Sequence, residues 1–330
     1  MGFLFSRRPL RAVLLMLLFN PAHALAMLCT LQGTSDTQVR GDLGSRVAIP
    51  ETLADGEVVW RSERYSLMVE CAREGQQAVA QDVFLHINPD RLEIGQGIRM
   101  GVNLNGGDHF SGRIATGQQI PVCHEGDSNI GACPRVRFNL GFSLFIQKFG
   151  AVPSSGVPVD VPDYRIFELN GESSAPAGRP GSLSYVLDNL TGLRFVACDA
   201  QLQVFPEVLE FGALPIRQVV VGKVFERRPF TLQTQRSCDS PFSLDARFRP
   251  LTGQVVDNLL IPANNASLGI RLVRAADARP LGYNQLFHLA DLLGDVPTQT
   301  TEFNAELVWQ STRPIAGPFA AEVMIDLFYK

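Results

Sequence analysis

The sequence predicts an all-β protein built as two β-sandwich domains in tandem. Runs that alternate apolar and polar residues recur along the chain, with turn-forming clusters between them. Glycine and proline are plentiful, 29 and 21 residues, against 19% charged residues. One cysteine spacing also recurs: Cys29 and Cys71 stand 42 residues apart, and Cys198 and Cys238 stand 40 apart. Each half thus has a cysteine early and another at the end of an alternating run.

The chain opens on an export signal. Arg7, Arg8 and Arg11 precede an apolar run from Ala12 to Phe19, and Ala24-Leu25-Ala26 fits a peptidase site. Cleavage is expected after Ala26, with Ala22-His23-Ala24 a second candidate. No later stretch approaches the length of apolar sequence needed to span a bilayer, so an exported, soluble product is expected. Its six cysteines would then meet an oxidising compartment and fall in order as Cys29 with Cys71, Cys123 with Cys133, and Cys198 with Cys238. Six cysteines allow many connectivities, and zinc or free thiols are the alternatives. Zinc lacks matching histidines at ligand spacing.

In the first half, Tyr65 to Cys71, Val83 to Ile87, Ile98 to Leu104 and Val136 to Ile146 alternate or are densely apolar. Turn clusters at Asn88-Pro-Asp90 and Asn105-Gly-Gly-Asp108 separate them. In the second half, Phe230 to Cys238 is an alternating run, and a short helix is expected around Leu286 to Leu293. Residues 170–182 have the composition of a linker. A cut there would strand Leu183 to Leu187, so the division is placed near Val196: 1–26 signal peptide, 27–196 first domain, 197–330 second domain.

The last fourteen residues, Gly317 to Lys330, are expected to form one long final strand. Phe319, Ala321, Val323, Ile325, Leu327 and Tyr329 share an apolar face, alternating with a more polar set that ends at Lys330. Such a strand leaves an apolar edge in need of a partner.

The second half carries a set of features in a definite order. Cys198 comes early, followed by Pro206 and Phe211-Gly212, then Cys238 at a strand end. Gly269 starts the strand Ser267 to Leu272, Phe303 to Leu307 follows, and Gly317, Phe319 and Tyr329 close the chain. This set resembles the pilin domain of chaperone–usher fimbrial subunits of Gram-negative bacteria, over roughly residues 197–330. The resemblance implies two immunoglobulin-like β-sandwich domains, the C-terminal one a pilin fold lacking its last strand. It implies that Phe319, Ala321, Val323, Ile325, Leu327, Tyr329 and Lys330 border a groove. A periplasmic pilus chaperone, and then a donor strand from the next pilus subunit, would fill that groove by β-strand addition. An outer-membrane usher is the further partner implied.

Only Met27 and Leu28 precede Cys29 after the expected cleavage, so the chain is expected to accept a strand but not donate one. That places it at the pilus tip on the cell surface. Two-domain tip subunits of such systems are adhesins, so residues 27–196 would bind a receptor, expected to be a host or surface glycan. A non-binding minor tip or initiator subunit that starts assembly at the usher is the alternative.

The candidate receptor-binding residues lie in 103–133, with Trp60 added as an aromatic platform. Asn103, Asn105, Asp108 and His109 sit in a glycine-rich turn beside Phe110. Asp127 and Asn129 sit between Cys123 and Cys133, in a loop that a disulfide would pin at reduced entropic cost. His109, His124 and Glu125 match no metal-ligand spacing. Ser128 follows Gly126-Asp127 as in some esterases, but lacks a downstream Asp-x-x-His. Neither enzyme nor cofactor is expected. Asn189 and Asn265 begin formal glycosylation sequons, which mean little in a bacterial protein. The formal charge of −4, with no basic patch, argues against nucleic acid as a partner.

Overall fold

The computed structural model of the chain describes residues 27–44, 46–73, 79–122, 134–157, 163–172, 183–214 and 219–330. The export signal, the segment Cys123 to Cys133 with Asp127 and Asn129, and most of 170–182 lie outside the described residues.

The first half forms β1 (Met27–Leu31), β2 (Gln38–Asp42), β3 (Val47–Pro50), β4 (Val58–Arg61), β5 (Tyr65–Arg73) and β6 (Gln81–Ile87). It continues with β7 (Ile98–Leu104), β8 (Gly107–His109), β9 (Gly112–Ile120), β10 (Val136–Lys148), β11 (Asp163–Asn170), β12 (Leu183–Asp188) and β13 (Leu193–Val196). One sheet runs β1-β5-β10-β7-β8, with β4 also on β10; the facing sheet runs β2-β12-β11-β6-β9. Because β12 pairs with both β11 and β2, residues 170–182 connect neighbouring strands of one sheet.

The alternation that predicts these strands also builds the core. Along β10, Leu140, Phe142, Leu144 and Ile146 turn inward. Phe142 meets Phe167 at 4.9 Å, Tyr185 at 5.2 Å and Tyr65 at 5.4 Å between ring centroids. Burying such a ring is worth roughly 2–3 kcal/mol, and each well-placed aromatic pair adds about 1 kcal/mol. Phe145 points out of the other face of β10 yet is fully buried. Gly101, its cross-strand partner on β7, makes room: a Cβ there would lie 2.2 Å from the Phe145 ring. Gly101→Val should therefore lower stability by roughly 1–3 kcal/mol, visible as a lower denaturant midpoint with unchanged slope.

The second half forms β14 (Ala200–Phe205), β15 (Val224–Arg236), β16 (Phe242–Pro250), β17 (Gln254–Val256) and β18 (Leu259–Ile261). It ends with β19 (Leu268–Arg274), β20 (Pro280–Leu281), β21 (Leu286–Leu292), β22 (Thr298–Trp309) and β23 (Val323–Tyr329). The larger sheet runs β14-β15-β22-β19-β18-β17, and the smaller runs β21-β16-β23. Phe230, Phe248, Phe287 and Phe303 stack between them.

The described residues are all-β apart from a short 3-10 turn at Leu190–Gly192, and no helix among them is long and apolar enough to cross a membrane. The helix expected around Leu286 to Leu293 is instead strand β21. Its pairing with β16 shifts register between Leu244 and Asp245, so adjacent Leu289 and Ala290 are both buried. The bulge breaks the alternation and gives apolar spacings of three and four that imitate a helix.

Cys29 is bonded to Cys71, its cross-strand partner on β5, and Cys198 to Cys238, which stands just beyond the end of β15.

The two halves meet through a ribbon. β3 and β13 pair in parallel; Ile49 and Phe195 face the first core, whereas Ala48 and Val196 belong to the second. Asp199 N–H donates to Thr52 Oγ1 at 3.0 Å, and Arg194 donates to the Pro241 carbonyl.

Candidate functional site

An open groove lies in the second half. β14 pairs on one side with β15, and β23 on one side with β16; among the described residues neither has a strand paired to its other edge. At one end the two edges are tied, where Ala200 N–H donates to the Tyr329 hydroxyl at 3.2 Å. Away from this tie they border a groove of about 1000 Å³. Val204, Leu209 and Phe211 line it from the β14 side, and Phe319, Ala321, Val323 and Ile325 from the terminal segment. Its remaining lining includes Phe230, Phe248, Leu260, Leu272, Tyr283 and Ala305, members of the second core. These core residues are buried and form the floor of the groove, whereas Val204, Phe211, Phe319 and Ile325 along its walls are only half-buried. Phe211 and Phe319 approach across the groove with ring centroids 6.0 Å apart.

The terminal strand is shorter than the sequence suggests. Pairing begins at Val323, and Gly317–Glu322 is not strand. Gly317 has φ 140, a conformation few side-chain-bearing residues adopt, and Pro318 lacks an N–H. Glu322 is held instead by Leu251 N–H, which donates to its carbonyl at 2.8 Å, and by the Thr252 hydroxyl, which accepts from its N–H at 2.9 Å. Phe319 and Ala321 therefore line the groove from a loop. Leu327 is half-buried against the second core and Tyr329 is buried in it. Lys330 turns away to pair with buried Asp245.

Behind the groove, the other face of β23 is pinned by charge. Asp326 sits opposite Arg247 and pairs with it at 2.6 Å and with Arg249 at 3.1 Å. Burial pushes the Asp326 carboxyl up, but hydrogen bonds from Arg249 and Arg247 outweigh it and hold the group below the ordinary aspartate value of 3.8. A depressed folded pKa stabilises the fold above the unfolded value, and that contribution is lost as pH falls through the folded one. Melting curves of wild type and Asp326→Asn should therefore differ most near neutral pH and converge once the pH falls below the folded value of this carboxyl.

The predicted receptor-binding residues are only partly brought together. Asn103 and Asp108 face each other across the β7–β8 pair, with Asn103 Nδ2 donating to Asp108 Oδ1 at 2.6 Å. Asn105 holds the turn at φ 51, and His109 and Phe110 are half-buried. Asp108 also lies 3.8 Å from Arg61, whose charge feels Arg247 and Asp326 of the second half. This hairpin is therefore at the junction of the two halves. Trp60 cannot be an exposed platform: it is 6% exposed and belongs to the first core. Phe110 has the Arg99 guanidinium 3.7 Å over its ring centre and Phe145 against it edge-on. Asn265, from one sequon, is buried; its Oδ1 accepts from Ser267 N–H and hydroxyl, and its Nδ2 donates to the Ile315 carbonyl. No cluster of three or more His, Cys, Asp or Glu that could hold a metal occurs among the described residues.

The β14 side of the groove is the part that sequence reasoning missed. The strand itself was legible, since Leu202 and Val204 alternate with Gln201 and Gln203 as in a half-buried strand, but not its place at a sheet edge.

The second half is a β-sandwich of two sheets left open along one seam. Residues 196–330 match the family model described as fimbrial protein. Among solved structures, the chain resembles the CupB6 tip adhesin from Pseudomonas aeruginosa at 13% identity and a TM-score of 0.31, over 92% of this chain and 97% of that one. It also resembles the CsuC–CsuE chaperone–tip adhesion subunit complex from Acinetobacter baumannii at 12% identity and a TM-score of 0.28, over 91% and 99%. The P pilus rod subunit PapA is similar at 16% identity and a TM-score of 0.31, over 38% of this chain and 92% of that one. No curated protein sequence matches the chain.

Proposed function

We propose that the chain is the tip adhesin of a chaperone–usher pilus, with residues 27–196 as receptor-binding domain and 197–330 as pilin domain. The observation that carries this is the groove between the free edges of β14 and β23, lined by the domain's own core aromatics. An extended segment with alternating apolar residues would complete both sheet edges and cover the half-buried Val204, Phe211, Phe319 and Ile325. A periplasmic chaperone supplies that segment first and the next pilus subunit replaces it after delivery to the usher. Phe319, Ala321, Val323 and Ile325 border the inserted strand, Leu327 and Tyr329 anchor β23 in the core, and Lys330 fixes the strand's end on Asp245.

The tip position is supported by β1. Residues Met27–Leu31 are paired with β5 inside the first sheet and Cys29 is bonded to Cys71, so these residues are already used within the chain's own fold. The free end then presents the first domain, whose role is attachment to a glycan. Immunogold labelling of pili tests this reading. Label confined to fibre ends is expected; label spaced along the shaft contradicts it.

A further inference from the structure

We propose that Arg73 marks a binding site at the far end of the first domain for the acidic group of a saccharide, a carboxylate or a sulfate. This rests on the adhesin reading above and specifies its ligand class.

β10 fixes which end is which. Its last residues pair with β4, near the junction, whereas its first, Val136, lies opposite Cys71 at the other end. Arg73 closes β5 at that other end. Val69, Cys71 and Arg73 are the buried positions of an alternating strand, so the guanidinium points between the two sheets. Arg73 is 7% exposed, and its Nε, Nη1 and Nη2 are all buried without a hydrogen-bond partner among the described residues. The opposite sheet offers a second such group, the buried, unpartnered Oε1 of Gln81 at the start of β6. Met27 links the two. It stands opposite Arg73 in register, and its Cε approaches Gly171, beside which Gln81 Nε2 also lies.

A buried guanidinium with no partner is among the costlier arrangements a fold can hold, and it calls for an acceptor. A flat two-oxygen anion matches the fork of the guanidinium, and Gln81 Oε1 can accept from a neighbouring sugar hydroxyl. The surroundings favour an anion. On the outer face of the same sheet, Arg135 and Arg137 each pair at 2.5 Å with the single carboxylate of Glu70 and are otherwise half-exposed. This position is the end of the first domain turned away from the second half.

The test uses the mature full-length chain, with the groove filled by a donor-strand peptide. Sialyllactose and a heparin tetrasaccharide are titrated as acidic probes and lactose as the neutral one, against wild type and Arg73→Met. At least one acidic probe is expected to bind roughly tenfold tighter than lactose, and Arg73→Met to lose that preference. Because the charge has no partner among the described residues, Arg73→Met is expected to melt no lower than wild type. A variant that melts lower and still binds would make Arg73 an internal structural partner and overturn the proposal. Equal binding of lactose and the acidic probes overturns the acidic site and leaves the adhesin reading standing. No binding of any probe by wild type overturns the site, and attachment of piliated cells then decides the adhesin reading separately.

Discussion

Ile325→Asp is expected to abolish capture of a donor strand while leaving the isolated chain folded. Ile325 lies opposite Phe248 in register, is half-buried, and lines the groove. Before the groove is filled, a carboxylate there keeps contact with water. After filling, it must be buried against Phe230 and Phe248. Losing the isoleucine contact costs roughly 2 kcal/mol, and desolvating the new charge adds at least as much. Together these predict a fall of at least about 100-fold in affinity for a donor-strand peptide, measured by fluorescence anisotropy. Met324→Asp is the control. Met324 is 43% exposed on the opposite face, where Arg249 already touches its sulfur, and little change is expected. Equal losses from both substitutions would mean that the acidic residues act through general destabilisation and not through the groove.

Removing the Cys198–Cys238 bond is expected to have the largest effect on stability. The bond ties the chain just before β14 to the end of β15 and closes a loop of 40 residues. Chain entropy alone assigns such a loop about 4 kcal/mol. In this domain that corresponds to a melting temperature lower by roughly 10–20 °C for the Cys198→Ala, Cys238→Ala double variant. β14 has a single strand partner, so the bond also sets one side of the groove. The double variant should therefore bind donor peptide more weakly even well below its melting temperature. A drop of less than about 3 °C would mean that the β14–β15 pairing holds the edge unaided.

Much of the fold is legible in the sequence because half-buried strands alternate. Tyr65 to Cys71, Val136 to Ile146 and Phe230 to Arg236 all fall within β5, β10 and β15 for that reason. Where a bulge interrupts the pairing, the same rule misleads: Leu286 to Leu292 has helical spacing only because Leu289 and Ala290 turn inward together. The terminal apolar face is visible from Phe319 onward, but its pairing is not. Gly317 and Pro318 keep the chain out of a ladder until Val323. The opposite wall of the groove depends on which strands remain unpaired, a property of topology that no local pattern around Val204 or Phe211 reports. Trp60 shows the converse limit. An aromatic residue beside charged neighbours suits a surface platform as well as a core, and only its place against β10 decides for the core. Arg73 could not have been singled out at all, since its interest lies in the missing partner and not in its position along the chain.

An added strand is expected to complete the open groove between β14 and β23. The most direct measurement is amide hydrogen exchange of the mature chain with and without a synthetic peptide carrying a pilin N-terminal extension. Strong new protection of the amides of β14 and β23, with a matching rise in melting temperature, is the result expected. A monomer whose β14 and β23 amides are already fully protected alone, and unchanged by the peptide, would contradict it.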